Sequence, residues 1–379
     1  MKSAVMTGAM TGARHLYVHL PFCSSRCGYC DFVTVVGRRG EHGRYVEALL
    51  RELELERPLL AARPDSVYLG GGTPSLTDPA ALARLLAALP DADEVTVEAN
   101  PETITAELAR LLSRNRVNRV SIGAQTFNTD LLDVLERRAR PDDVRRAVQV
   151  VRDAGIDNIS LDLIYGIPGQ EPSALRRDLA EALALEPEHI SAYELEAKPG
   201  TRFTHAHGAE LERQADAMEA YFEHVVETLT AAGYRWYETA NFCRRQPQPE
   251  GRDLRAKHNL GYWLGRDYLG LGVGAVSTIE NRRWRNAPSL ARYMAALERG
   301  GRPPREHEEL AADTRSAERV MLGLRLDEPL SLRGLEGRLD ENELARLAQG
   351  GLVARGDGTL ALTPRGRFLG GGVTARLLA

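Results

Sequence analysis

Between residue 15 and about residue 240, short runs rich in β-branched residues alternate with longer helical segments, and this alternation limits the possible folds more than any other feature. The six predicted strands are His15–Leu20, Ser66–Leu69, Glu94–Glu98, Arg119–Ile122, Asn158–Ile164 and His189–Glu196. The predicted helices between them are Tyr45–Glu56, Pro79–Ala88, Thr105–Ser113, Pro141–Ala154 and Ser173–Leu185. Such alternation indicates a parallel sheet, and six units predict an α/β fold with a TIM-like barrel, complete or partial.

Glycines and polar residues follow several of the predicted strands. Gly70–Ser75 follows the second strand, Glu98–Pro101 ends the third, and Gly123–Gln125 ends the fourth. Asp162 lies within the fifth strand. Because the strand ends of a parallel barrel meet at one mouth, where the chemistry of such barrels takes place, we expect these residues to face one another.

Three of the four cysteines lie within eight residues, immediately after the first predicted strand. Cys23, Cys27 and Cys30 are spaced at i, i+4 and i+7, whereas Cys243 is far away in the sequence. Thiolates at this spacing can hold three corners of an iron–sulfur cube and leave one iron without a protein ligand. Two alternatives stay open: a zinc site that includes His15 or His19, and thiols that are buried without a ligand.

The segment His19–Phe32 resembles the radical S-adenosylmethionine (SAM) superfamily, in which a CxxxCxxC loop binds a [4Fe-4S] cluster and SAM chelates the open iron. The flanking His-Leu-Pro-Phe-Cys and Tyr-Cys-Asp-Phe strings resemble one branch of it, which contains oxygen-independent coproporphyrinogen III oxidases and heme chaperones. The resemblance implies a partial (β/α)6 radical SAM barrel at 14–245 and a cluster held by Cys23, Cys27 and Cys30.

The same resemblance implies a set of cofactor-binding positions around the cluster. These are Tyr17, Tyr29, Gly71, Gly72, Thr73, Glu98, Gln125, Arg137, Asp162 and Val276. Gly71 would let a ligand approach without meeting a side chain, and Glu98 could accept hydrogen bonds from ribose hydroxyls or balance the sulfonium charge. Arg137 is assigned by an ungapped count from Gln125. Many relatives have a histidine at the position of Val276, so the role of that histidine does not transfer.

Residues 246–304 form a predicted extension that contains the string His258-Asn-x-x-Tyr262-Trp263 and a glycine-rich run at 267–276. This string resembles the heme chaperones of the branch, which makes His258 a candidate heme ligand. The alternative is a core histidine beside a packed Tyr-Trp pair. The Pro/Gly/charge-rich segment 244–255 is predicted to be a mobile loop.

Residues 305–379 predict a small α+β domain of winged-helix outline. Its predicted elements are the helices Ser316–Leu324, Ser331–Arg338 and Glu341–Ala348, and a hairpin of 351–355 with 359–363. Residues 341–379 hold five arginines, three acidic residues and no lysine. A DNA-binding arm is usually more basic, so we predict a lid or docking module that the family's C-terminal domain resembles.

The bulk composition excludes some partners. A net charge of −4 and a pI near 6.2 argue against nucleic acid bound by a general basic field. No apolar run approaches the roughly 20 residues of a membrane span, and residues 1–14 lack a signal peptide pattern. We therefore expect a cytoplasmic protein; a peripheral membrane contact is compatible with this pattern.

Three features favour the heme chaperones over the oxidases. Phe32 stands where the oxidases have a further cysteine, the segment before Tyr17 is short, and the 258–263 string belongs with the chaperones. The sequence therefore predicts a radical SAM [4Fe-4S] protein that binds heme and transfers it to an acceptor protein. The alternatives are an oxygen-independent coproporphyrinogen III oxidase and a cluster-bearing redox or scaffold protein. The sequence leaves open whether SAM is cleaved.

Overall fold

The computed structural model describes residues 12–198, 201–246 and 251–378. The strands are β1 His15–Leu20, β2 Phe22–Cys23, β3 Val35–Val36, β4 Ser66–Gly71, β5 Glu94–Ala99, β6 Arg119–Gln125, β7 Ile159–Tyr165, β8 His189–Glu194, β9 Tyr234–Trp236, β10 Asn241–Arg244, β11 Tyr268–Leu271, β12 Val276–Ile279, β13 Arg282–Asn286, β14 Arg305–Glu309, β15 Leu330–Ser331, β16 Val353–Gly356 and β17 Thr359–Leu362. The helices are α1 His42–Glu56, α2 Pro79–Ala88, α3 Ala106–Arg114, α4 Thr129–Val134, α5 Pro141–Asp153, α6 Pro172–Ala184, α7 Arg202–Gln214, α8 Met218–Ala231, α9 Lys257–Trp263, α10 Leu290–Glu298, α11 Ala312–Gly323, α12 Glu341–Gln349, α13 Pro364–Phe368 and α14 Gly370–Leu377.

The six predicted strands are β1, β4, β5, β6, β7 and β8, and they pair in this order as parallel neighbours. Within the described residues β1 and β8 do not pair with each other. Instead β11 lies parallel to β1, and β10 lies antiparallel to β8. The ring of strands is therefore open, which confirms the partial barrel. The whole sheet has the order β14-β13-β12-β11-β1-β4-β5-β6-β7-β8-β10-β9.

Local sequence explains where the barrel helices begin and which side they bury. The Asp78 side chain accepts a hydrogen bond from Ala81 N and caps α2, and Thr105 caps α3 in the same way through Leu108 N. Helix α5 buries one face formed by Val144, Ala147, Val148 and Val151. Each helix thus covers the sheet with an apolar stripe, and this packing holds the strand ends in place.

The C-terminal region has its own hydrophobic cluster, which includes Val320, Leu344, Leu360 and Leu377. The predicted hairpin is confirmed, since β16 and β17 pair antiparallel around Gly356–Gly358. The predicted helix Ser331–Arg338 is wrong. Leu330 and Ser331 form β15, and Gly334 and Gly337 have φ of +79° and +70°, which a right-handed helix cannot contain.

The predicted boundary of the C-terminal domain at residue 305 differs from the strand pairing. Strand β14 at 305–309 pairs with β13 in the large sheet, although these residues were assigned to the C-terminal domain; the domain boundaries stay predictions. The prediction for residues 1–14 and that of a mobile loop at 244–255 fall partly on residues 1–11 and 247–250, which lie outside the described residues. Among the helices that the structure describes, none is both long and apolar enough to cross a membrane.

Candidate functional site

A cavity of about 1420 Å³ lies at the carboxyl ends of the parallel strands. The predicted site residues that line it are Cys23, Cys27, Tyr29, Cys30, Gly71, Gly72, Thr73, Glu98, Gln125, Arg137 and Asp162. These residues come from the loop after β1, from β4 to β7 and the turns after them, and, for Arg137, from the segment between α4 and α5. The fold therefore brings together residues that are up to 139 positions apart. Three further predicted residues, Tyr17, His258 and Val276, are not in the cavity wall.

The cysteine loop is attached to the neighbouring strand by backbone hydrogen bonds. Gly72 N donates to Leu20 O over 2.8 Å, and Thr73 N donates to Phe22 O over 2.8 Å. All three thiols are free and half-buried at the cavity surface. Burial raises the pKa of the Cys23 and Cys30 thiols, so a bound cation is needed to hold them as thiolates.

Of the two histidines of the zinc alternative, His19 uses both ring nitrogens, whereas His15 uses Nδ1 and leaves Nε2 without a partner. His15 Nδ1 is hydrogen-bonded to Ser66 Oγ at 2.8 Å. His19 Nε2 donates to Val33 O at 2.8 Å, and its Nδ1 therefore accepts from Tyr17 Oη at 3.0 Å. Within the described ranges no three His, Cys, Asp or Glu side chains converge as they would around a single metal ion. Three thiols spread along one open loop suit the corners of a cluster better than one ion.

Two side chains donate hydrogen bonds to the cysteine sulfurs. Thr73 Oγ1 lies 3.5 Å from Cys23 Sγ, and Arg137 Nη1 lies 3.7 Å from Cys27 Sγ. Arg137 also donates through Nη2 to Asn100 Oδ1 at 2.9 Å and to the Gly123 carbonyl at 3.2 Å. These contacts identify Arg137 as the arginine of this segment that faces the cysteine loop. Arg138 is exposed, and Arg140 pairs with Asp133 outside the cavity.

The glycines after β4 are explained by packing and not by ligand access. Gly71 has φ +108°, and a Cβ added there would lie 2.3 Å from the His19 ring. A Cβ at Gly72 would lie 2.5 Å from the Pro21 carbonyl carbon. Both directions point into the protein, so the expectation that a side chain at Gly71 would fill the ligand's approach is wrong. The glycines allow β4 to pack closely on the segment that leads into the cysteine loop.

Glu98 is the carboxylate nearest to these glycines. Tyr68 Oη donates to its Oε1 at 2.7 Å, and Gly71 N donates to its Oε2 at 3.1 Å. The carboxyl group lies deep in the barrel, although part of its surface opens into the cavity. Burial raises the pKa of Glu98 to about 7, against the two hydrogen bonds that lower it. Glu98 can therefore gain or lose a proton near neutral pH.

Gln125 and Asp162 reach the cavity from β6 and β7. The pairing of these strands shifts register between Gly123 and Gln125, and Gln125 has φ +66°, so a bulge places its side chain in the cavity wall. Asp162 accepts from Ser121 Oγ at 3.1 and 3.0 Å and from Ser160 Oγ at 3.4 Å. Burial raises the pKa of this carboxyl group.

His258 lies behind the cavity wall in a buried aromatic group. Its Nδ1 is hydrogen-bonded to Ser66 Oγ at 2.9 Å, its Nε2 to Tyr262 Oη at 2.9 Å, and its ring stacks on Tyr68 with centroids 5.0 Å apart. Both ring nitrogens are therefore occupied in this conformation. Tyr17 belongs to the same group, with its ring centroid 6.3 Å from that of His258. Val276 begins β12 and pairs with Arg285, away from the cavity.

The cavity has a second wall that the sequence analysis does not predict. It consists of aromatic residues on β8, α8 and β9, together with residues of the C-terminal region: Tyr193, Phe222, Trp236, Met321, Leu324, Arg325, Leu362, Arg367 and Phe368. Arg367 Cζ lies 3.6 Å from the Trp236 ring centroid, and Arg325 Cζ lies 4.3 Å from that of Trp263. Arg119 of β6 also lines the cavity. Its alternation with Ser121 and Gly123 was the sequence signal that could have identified it.

An open parallel barrel with a three-cysteine loop after its first strand defines a radical SAM protein. Residues 17–182 match the family model of the radical SAM superfamily, and residues 310–369 match that of the HemN C-terminal domain. A heme chaperone HemW from Mycobacterium tuberculosis is 38% identical over 376 residues, which cover 96% of this chain and 94% of that protein. HemW from Bacillus subtilis is 32% identical and covers 96% of this chain and 98% of its own length. The chain belongs to the HemW heme chaperone family.

A solved structure shows the same fold. Coproporphyrinogen III oxidase (HemN) from Escherichia coli superposes with a TM-score of 0.78 and covers 97% of this chain and 91% of that chain. The two sequences are 24% identical. The similarity therefore supports the architecture of barrel and C-terminal domain.

Proposed function

We propose that this protein binds heme in the cavity, beside a [4Fe-4S] cluster and SAM, and transfers the heme to an acceptor protein. The observation that carries the proposal is the location of exposed apolar side chains. Phe32, Tyr193 and Met321 are 64%, 43% and 54% exposed, and all three line this cavity. Exposed apolar groups gathered in one place mark a site for an apolar partner. A porphyrin is a ligand of this kind.

The size of the cavity supports two ligands. A pocket that buries one small ligand measures roughly 300–1,000 Å³, and this cavity measures about 1420 Å³. The wall with Cys23, Thr73 and Glu98 is polar, whereas the opposite wall with Trp236 and Phe368 is aromatic. We assign SAM to the polar wall and heme to the aromatic wall. The relatives carry the name heme chaperone, which supports heme as one of the two ligands.

The cluster would be held by Cys23, Cys27 and Cys30, and it would supply redox chemistry and one open coordination position. This chain's own residues prepare the site. Thr73 and Arg137 donate toward two of the sulfurs, and the Arg137 cation offsets thiolate charge. The four cysteines are free, and a cytoplasmic location, which is part of this proposal, would keep them reduced.

For SAM, Glu98 is the residue whose loss is expected to matter most. A hydrogen bond to a charged acceptor contributes about 1.5–3 kcal/mol, which is roughly 10- to 150-fold in affinity. Glu98→Ala is therefore expected to weaken SAM binding by that factor, measured by isothermal titration, while the cluster absorbance persists. SAM affinity equal to that of the wild type would move the SAM site elsewhere.

The heme site can be tested by filling the cavity. Gly371 on α14 lines the cavity and has no atom within 4 Å of an added Cβ, so Gly371→Trp extends into the space. Gly372 has equally open surroundings but does not line the cavity, which makes Gly372→Trp the matched control. We expect Gly371→Trp to weaken heme binding at least tenfold in a Soret titration. Equal affinities in both variants would place heme outside the cavity.

Transfer and the oxidase alternative need separate measurements. Heme-loaded protein mixed with apomyoglobin reports whether bound heme is released to an acceptor, through the change in its absorption spectrum. Anaerobic incubation with coproporphyrinogen III, SAM and a reductant tests for decarboxylation. Porphyrin product formed at catalytic turnover by the wild type would contradict the chaperone proposal and favour the oxidase.

His258 stays a predicted heme ligand, but one of its two hydrogen bonds, to Ser66 or to Tyr262, must break before that nitrogen can bind iron. Met321 and Tyr193 face the cavity directly, and methionine and tyrosine are both known heme ligands. Comparing the heme spectra of His258→Ala and Met321→Leu separates these possibilities. An unchanged spectrum in folded His258→Ala would exclude the histidine as the ligand.

A further inference from the structure

Arg119 is the most buried of the cationic residues that line the cavity. It begins β6, its side chain is 2% exposed, and that remaining surface opens into the cavity. Its Nε has no hydrogen-bond partner, and the guanidinium acts on the nearby carboxyl groups of Glu98 and Asp162 by charge and not through a hydrogen bond. Arg325 and Arg367 of the wall also have one unpartnered nitrogen each, but Arg325 lies 3.6 Å from Glu238 and Arg367 donates to the Trp236 carbonyl. Arg137 has three hydrogen-bond acceptors.

The neighbours of Arg119 are already satisfied by other groups. Glu98 accepts from Tyr68 and Gly71, and Asp162 accepts from Ser121 and Ser160. The Arg119 charge lowers the pKa of both carboxyl groups from a distance, against the stronger effect of burial. These carboxylates therefore balance the cation at long range without filling its donor positions.

Two histidines close to Arg119 cannot accept from it either. His189 is hydrogen-bonded at Nδ1 to Ser160 Oγ and at Nε2 to Tyr237 Oη, over 2.8 and 2.9 Å. His258 uses both nitrogens in the contacts described above. An unpaired buried cation is costly, and burying a charge without hydrogen bonds is rare in folded proteins. Arg119 thus has an unused donor, and its side chain reaches the wall of the space that a ligand would occupy.

We propose that Arg119 is the receptor for a carboxylate group of a ligand that reaches the floor of the cavity. A guanidinium binds a carboxylate through two parallel hydrogen bonds. A dianionic phosphate fits less well, because Glu98 and Asp162, which already act on Arg119 at long range, would repel a second negative charge more strongly than a single one. One arginine matches the single charge of a carboxylate.

The carboxylate has two sources, the amino acid part of SAM and a propionate of a tetrapyrrole. Arg119 and Gln125 are at opposite ends of β6, roughly 20 Å apart in an extended strand. SAM is expected at the end with the cysteine loop, so we favour the propionate. The propionate assignment rests on the proposed heme function, whereas a SAM carboxylate does not.

The test removes the carboxylate from the ligand and the guanidinium from the protein. Wild type and Arg119→Gln are titrated with heme and heme dimethyl ester, and with SAM and decarboxylated SAM. We expect the wild type to lose about 10- to 150-fold in affinity when the carboxylate is blocked in one of the two pairs, and Arg119→Gln to lose less than threefold. Arg119→Lys keeps the charge but cannot donate two parallel hydrogen bonds. Its loss of affinity on blocking the carboxylate is expected to lie between those of the wild type and Arg119→Gln.

The outcomes separate the proposal from its competitors. If Arg119 only balances Glu98 and Asp162 through water, Arg119→Gln weakens the acid and its blocked form equally. Wild-type protein that binds both members of each pair equally well would overturn the proposal without any variant. Arg325→Gln is the control, because Arg325 already lies 3.6 Å from Glu238; loss of discrimination there would assign the carboxylate to Arg325. If heme does not bind at all, the SAM pair still decides the role of Arg119.

Discussion

Arg137 Nη1 lies 3.7 Å from Cys27 Sγ, while Nη2 of the same side chain holds Asn100 and the Gly123 carbonyl at the ends of β5 and β6. One guanidinium therefore connects the cysteine loop to two strand ends. Because it carries a positive charge next to a sulfur that would ligate iron, it also sets the electrostatic potential of the cluster site.

Replacing Arg137 by methionine should make the reconstituted cluster harder to reduce. Loss of a cation beside a cluster sulfur disfavours the more negative reduced state, and a change of about 1 kcal/mol corresponds to roughly 50 mV for a one-electron couple. Redox titration followed by electron paramagnetic resonance measures this shift. The exposed neighbour provides the control, since Arg138→Met should keep the wild-type potential. Equal potentials in both variants would remove the electrostatic role of Arg137.

The three loop cysteines should be indispensable for the cluster, and the fourth should not. Serine at Cys23, Cys27 or Cys30 is expected to abolish the [4Fe-4S] absorbance and the iron content after anaerobic reconstitution. Cys243 lies on β10, is 4% exposed and packs with Tyr237 and Leu254, so Cys243→Ser should keep a full cluster. A cluster lost equally in Cys243→Ser would contradict the assignment of three protein ligands.

Gly71→Ala should destabilise the fold rather than only weaken ligand binding. The substitution places a Cβ 2.3 Å from the His19 ring and also strains a residue with φ +108°. We expect a loss of roughly 3 kcal/mol or more in the free energy of unfolding, measured by urea denaturation. Gly155→Ala isolates the backbone term, because Gly155 has φ +85° and open surroundings. It should cost about 1–2 kcal/mol, and an equal loss in both variants would exclude the collision.

The sequence predicted most of the barrel and the polar wall of the cavity, because both follow from local patterns. Strand-end residues such as Glu98 and Asp162 converge once parallel strands are assumed. The reason for Gly71 could not be predicted, since it depends on the distance to His19 across two strands. The wall containing Met321 and Arg367 was not predicted either, because no periodicity in the sequence indicates which surface of the C-terminal region packs over the strand ends. Similarly, the helix predicted at 331–338 failed at two glycines whose left-handed conformation only the structure reveals.

Glu98 should make the stability of the free protein depend on pH between about 4.5 and 7. Burial raises its pKa to about 7, so in this window the folded state binds more protons than the unfolded state. The contribution of Glu98 to the free energy of unfolding therefore falls as pH rises from 4.5 to 7 and is constant above 7. The fall is at most about 3 kcal/mol, because one pKa unit corresponds to about 1.4 kcal/mol, and it is smaller where solvent reaches the carboxyl group. Glu98→Gln should remove this component; identical pH profiles would contradict the raised pKa.

His15 and His258 should produce the opposite dependence in acid. Burial lowers their pKa values to about 4 and about 3, so below pH 6.5 the unfolded state binds more protons than the folded state. Their contribution is fully present above pH 6.5 and is lost as pH falls toward these values. Urea unfolding at pH 7 and pH 5 should show a smaller difference in His258→Phe than in the wild type.

The exposed His205 supplies the control for that experiment. His205→Phe should keep the wild-type difference between pH 7 and pH 5. If His258→Phe keeps the full difference in unfolding free energy between pH 7 and pH 5, protonation of His258 does not cause the loss of stability in acid.

The cavity wall combines residues from opposite ends of the chain. The cysteine loop occupies residues 23–30, whereas the last wall residues lie between 362 and 378. During synthesis on a ribosome, the barrel strands and their thiols therefore emerge long before the segment that covers them. Until the C-terminal region has been made and packed, one part of the cavity wall is missing. A cluster inserted during that period would reach the cysteine loop through the side of the cavity that the C-terminal region later covers.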